Sequence, residues 1–130
     1  MPGLPVTEPV VLIVSEDAPV RQSIKALIES AGLQAAIFPT LQTLLNAEQP
    51  KSRSCLVFYP KNNTLGDPTQ QARLAAACAR RSGILIIERG NVPLAVLALK
   101  AGIVDVVQKP YRDKELLERI EKVLEGNSTV

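Results

Sequence analysis

The chain has 130 residues, 46% of them apolar and 22% charged, with a formal net charge of +2. That suffices for one buried core and lacks the dense basic stripe that neutralises a phosphate backbone, so direct binding of nucleic acid is not expected. The absence of histidine excludes a phosphohistidine carrier, a Ser-His or Cys-His nucleophile pair and nearly every zinc site.

Residues 1–9 read as an N-terminal extension. They lack the cationic start and apolar stretch of a signal peptide, and no later apolar run approaches the roughly 20 residues that span a bilayer. A cytoplasmic location away from membranes is therefore expected. Val10-Val11-Leu12-Ile13-Val14 has the pattern of a strand buried on both faces. Asp17 offers an N-cap, with Pro19 in the first turn. Val20, Ile24, Leu27, Ile28 and Ala31 then form one helical face that Gly32 ends.

A weaker strand over 34–38 precedes a short helix over 41–46 and a polar loop over 50–53. Residues 54–58 make the next buried strand, stopped by Tyr59-Pro60. The stretch Lys61-Asn62-Asn63-Thr64-Leu65-Gly66 is turn-rich and expected to be mobile. Asp67-Pro68 opens a helix that runs through Ala72, Leu74 and Ala77 to Arg81 and closes near Gly83. A fourth strand covers 84–87, with 88–91 as its loop. A helix from Val92 to Ala101 stops at Gly102, and a fifth strand covers 104–107. Asp113 caps a last helix that buries Leu116, Leu117, Ile120, Val123 and Leu124. The folded domain is expected over 10–125 and a flexible tail over 126–130.

Five strands alternating with five helices predict an α/β fold, a parallel sheet covered by helices on both faces. Such sheets hold their sites beyond the carboxyl ends of the strands. Ser15, Glu16, Asp17, Tyr59, Ile87, Glu88 and Lys109 occupy those places. Cys55 and Cys78 lack CxxC spacing and read as inert buried thiols. Lys51, Arg53, Arg80, Arg81 and Arg89 read as scattered surface charge, and Glu88 with Arg89 as a solvated loop pair.

The acids after the first strand, Asn91-Val92-Pro93-Leu94-Ala95-Val96, Lys100-Ala101-Gly102 and Gln108-Lys109-Pro110-Tyr111 resemble the response-regulator receiver domain of two-component signalling. The likeness is nearest to receivers joined to LuxR-type output domains and covers about Val10 to Leu124. It implies a flavodoxin-like (βα)5 three-layer sandwich. In a working receiver an aspartate ending the third strand attacks a phosphodonor. Mg²⁺, acids after the first strand, a Ser or Thr after the fourth and the Lys before Pro offset the charge.

Most of those positions are changed in this sequence. Tyr59 stands at the nucleophile position, and a neutral phenol forms no acyl phosphate and is a poor Mg²⁺ ligand. Ser15 replaces the first acid, leaving Glu16 and Asp17; Ile87 replaces the hydroxyl residue; Val106 replaces the aromatic switch residue. Lys109 alone is kept. The resemblance with these departures implies a degenerate phosphorylation site and a pseudo-receiver that needs no phosphorylation, no metal and no cofactor. It is expected to be no enzyme and to act by protein-protein contact.

Lys109 is expected to pair with Glu16 or Asp17. The Tyr59 ring is expected to plug the vacated pocket, its hydroxyl reaching water or Lys109. Sensor kinases, other response regulators and transcription factors are the expected partners. The face of the fourth helix, fifth strand and fifth helix is the expected docking or homodimer surface, with Val92, Leu99, Val106 and Tyr111 as its residues. Two alternatives stay open. The chain is the N-terminal regulatory domain of a DNA-binding transcription regulator, or it is a small-ligand-binding α/β module that holds an anion on Lys109 and helix-start amides.

Overall fold

The computed structural model describes residues 8–61 and 64–128. The elements are β1 (Val10–Ser15), α1 (Ala18–Ser30), β2 (Gln34–Phe38), α2 (Leu41–Asn46), β3 (Ser54–Tyr59), α3 (Pro68–Cys78), β4 (Ser82–Ile87), α4 (Val92–Lys100), β5 (Asp105–Gln108) and α5 (Asp113–Ser128). All strand pairs are parallel, in the order β2-β1-β3-β4-β5. The expected α/β sandwich is the fold observed.

Successive side chains of a strand point to opposite faces, so each central strand feeds two cores. Leu12, Val14, Leu56, Phe58, Leu85 and Ile87 pack with Leu41, Leu44, Leu74 and Leu94 from α2, α3 and α4. Val11, Ile13, Cys55, Val57, Ile84 and Ile86 pack with Ile24, Ile28, Leu116 and Ile120 from α1 and α5. Helix starts are fixed locally. The carboxylates of Asp17 and Asp67 accept from the Val20 and Thr69 N–H groups at 3.1 and 2.9 Å, each cap preceding a proline in the first turn.

Several boundaries differ from the sequence expectation. α3 ends at Cys78 with Ala79 as its cap, and Gly83 lies inside β4 instead of closing the helix. A Cβ on Gly83 would meet Ile103 Cδ1 at 3.0 Å and Leu56 Cδ2 at 3.3 Å, so the glycine is there for close packing and not for a turn. β5 is shifted one residue later than expected. Asp113 lies in the first turn of α5, because the Leu116 N–H bonds the Arg112 carbonyl; there its charge favours the helix dipole.

In the turn-rich stretch, Asn62 and Asn63 lie outside the described residues. Thr64–Gly66 forms a 3-10 turn with Leu65 fully buried, and Gln71 Nε2 donates to the Leu65 carbonyl at 2.7 Å. Of the expected terminal segments, Glu8, Pro9 and the 126–128 part of α5 are described.

At one end of the sheet, Arg119 of α5 reaches β5. Its Nη1 lies 2.6 Å from Asp105 Oδ1 and 3.3 Å from the Val106 carbonyl. The same Asp105 oxygen accepts the Val106 N–H at 2.9 Å.

Candidate functional site

The register places Ser15 beside Tyr59 and Ile87 beside Gln108. The residues that follow the strands therefore gather at one end of the sheet, as parallel α/β folds require. Ser15 is buried. Its hydroxyl accepts the Asp17 N–H at 3.2 Å, and its carbonyl accepts Arg21 Nη1 at 2.6 Å. Asp17 is engaged as the α1 cap, and Glu16 is exposed.

Tyr59 ends β3 half-buried, packed against the α1 and α5 side of the sheet. Its hydroxyl donates to the Glu88 carboxylate and accepts from Lys109 Nζ at 3.3 Å. Lys109 Nζ also sits 4.8 Å from the Tyr59 ring centroid, a cation-π arrangement. Its distance to Glu88 Oε2 is 3.9 Å. Lys109 thus pairs with Glu88 and Tyr59, not with Glu16 or Asp17. Glu88 faces this pair instead of Arg89. The reason is topological: Glu88 and Lys109 follow adjacent strands, whereas Asp17 is held by its own helix.

The contacts set the charge states. Burial and the Glu88 hydrogen bond raise the Tyr59 pKa above its ordinary value, against the opposing effect of Lys109. The Tyr59 hydrogen bond raises that of Lys109. Both shifts act in the same direction, so at neutral pH Tyr59 stays a neutral phenol and Lys109 an ammonium.

A cavity of about 250 Å³ persists between the ends of β1 and β3, lined by Ser15, Glu16, Phe58, Tyr59, Lys61 and Arg73 among others. Tyr59 forms one wall of it and does not fill it. The donor set does not fit Mg²⁺, which takes carboxylate and carbonyl oxygens. Among the described residues, no three Asp, Glu, Cys or His side chains converge. Ile87 is buried in the α2–α4 core and offers no polar group.

The expected docking residues divide. Val92 and Leu99 are exposed, together with Val96 and Val104. Val106 is half-buried against the α4 side of the core, and Tyr111 against the α1 and α5 side. The sequence reading missed Arg21, whose contact with Ser15 runs one helical turn and a loop back along the chain. It also missed the role of Glu88.

No family model matches the chain. It is 33% identical over 114 residues to Nodulation protein W of Bradyrhizobium diazoefficiens, covering 88% of the chain and 50% of that protein. It is 31% identical over 114 residues to the transcriptional regulatory protein FixJ of the same organism, covering 88% and 56%. The chain thus spans about half the length of these curated relatives. Among solved structures, FixJ-N matches with TM-score 0.76 and 29% identity over 92% of this chain and 95% of that one. The response regulator StyR matches with TM-score 0.77 and 30% identity over 94% and 62%. In sequence, at about 30% identity, and in fold, the chain is similar to response regulators and to their receiver domains.

Proposed function

We propose that the chain is a pseudo-receiver, which signals through protein-protein contact and is not switched by phosphorylation. One observation carries this reading. The position that ends β3 holds a neutral phenol whose hydroxyl engages Lys109, the cation a phosphoryl group would need. The buried Ser15 and the apolar Ile87 at neighbouring strand ends support the same conclusion, because Ser15 has no carboxylate to hold a metal and Ile87 has no hydroxyl to offer a transferring group. The partner is a sensor kinase, another response regulator or a transcription factor, docked on the surface that exposes Val92, Leu99 and Val104; a second copy of the chain is a further candidate.

Incubation with acetyl phosphate and Mg²⁺ followed by intact-mass measurement tests the reading. The expected result is no phosphoryl adduct; an adduct on any residue sinks it. A second reading, the regulatory half of a transcription regulator, draws support from FixJ, of which the chain covers 56%. A helix-turn-helix region encoded beyond Val130 would favour it.

A further inference from the structure

The end of the sheet opposite Tyr59 carries a second group of charges. The segment ahead of β3 and the segment between α3 and β4 wall a cleft of about 640 Å³. The six-residue strands put about 20 Å between the two ends. Arg81, expected at the surface, is only 7% exposed here. Its Nε donates to Ser54 Oγ at 3.0 Å, its Nη1 to the Ala77 carbonyl at 3.2 Å and its Nη2 to Gln49 Oε1. All three acceptors are neutral.

Burying a guanidinium without a counter-charge is unfavourable. The Ala77 carbonyl lies at the carboxyl end of α3 and brings part of the helix dipole, about half an elementary charge. Against that, exposed Arg80 and Arg53 line the same cleft, and Arg53 uses one donor on the Leu124 carbonyl at 2.8 Å. Three arginines, Arg53, Arg80 and Arg81, make the described lining of the cleft net positive, and burial followed by the neighbouring Arg80 lowers the pKa of Arg81. Among the described residues, no acidic one lines the cleft; Glu48 lies in the adjoining loop.

The cleft has the size of small-molecule sites, about 300–1,000 Å³, yet among the described residues no aromatic or large aliphatic side chain lines it. Serines and arginines select a ligand by charge and hydrogen bonding, and the guanidinium fork matches tetrahedral oxyanions. We propose that this cleft binds the phosphate group of a small anionic molecule, giving the domain an effector site remote from Tyr59. The site does not depend on the pseudo-receiver reading.

Thermal melts and titration calorimetry with sodium phosphate, adenosine monophosphate and ionic-strength-matched sodium chloride test it. Phosphate should raise Tm above the chloride control. Arg80→Gln, at an exposed position with no structural partner among the described residues, should weaken phosphate binding by about tenfold or more. Lys109→Gln should leave binding unchanged. Arg80 is preferred to Arg81 because loss of the buried side chain would also remove its hydrogen bonds to Ser54, Ala77 and Gln49. Equal affinity for phosphate and the nucleotide identifies free phosphate as the ligand, and tighter nucleotide binding identifies an organic phosphate; either upholds the site. Equal shifts in phosphate and chloride, binding indifferent to Arg80→Gln, or binding lost in Lys109→Gln would overturn it.

Discussion

Tyr59→Phe removes a single oxygen and leaves the ring in place. That oxygen donates to Glu88 and accepts from Lys109. The side chains of Glu88 and Lys109 are 64% and 38% exposed, so water replaces the phenol at both and no buried polar atom is orphaned. The cation-π contact survives, since phenylalanine presents the same face. The loss is then one net hydrogen-bond contribution, about 1 kcal/mol, or about 3–5 °C in Tm for a domain of this size. Urea and thermal melts at pH 7 measure it.

Alkaline pH adds a second readout of the same contact. Lys109 and Tyr59 both hold their protons above their ordinary values of 10.5 and 10.0 in the fold. A raised folded pKa stabilises fully below the unfolded value and fades as pH climbs through the folded one. The wild type should therefore lose stability above about pH 10 more steeply than Tyr59→Phe does. A loss above about 2.5 kcal/mol at pH 7, beyond any single exposed hydrogen bond, or identical alkaline slopes would refute this account of the site.

Further expectations follow from the same structure. Gly83→Ala forces a methyl against Ile103 and Leu56 and should cost about 1–3 kcal/mol, read as a fall in Tm. Burial pushes the Cys55 and Cys78 thiols up to about 12 and about 11, so at pH 8 a disulfide reagent should label the native protein far more slowly than the urea-unfolded chain; equal rates would contradict the packing. Leu99→Glu changes an exposed side chain and should shift stability by no more than about 0.5 kcal/mol. The same substitution should abolish capture of the partner from lysate, and a retained partner would place docking elsewhere.

Element order and most element bounds were legible in the sequence because their signals are local. Asp17 with Pro19 starts α1, and Gly32, at φ 84°, follows it. The strand-end positions of Ser15, Tyr59 and Ile87 were legible because each closes a buried apolar run. What escaped was set by distant contacts. Gly83 resembled a helix stop because its neighbours Ile103 and Leu56 meet only in the folded sheet. Arg81 resembled surface charge because arginine is rarely buried, and its acceptors Ser54 and Gln49 lie 27 and 32 positions away. Glu88 found Tyr59, 29 positions off, through strand order and not through any local pattern.

The Arg119 contact with β5 bears on how a partner can approach. A terminal strand of a sheet is a template on which another chain can extend the sheet through main-chain hydrogen bonds. Here both main-chain groups of Val106 are already taken, its N–H by Asp105 and its carbonyl by Arg119. Strand addition is blocked at that point, so recognition beside β5 must run through side chains. The side chains of Asp105 and Arg119 thus cap this edge strand against main-chain pairing with another chain at Val106.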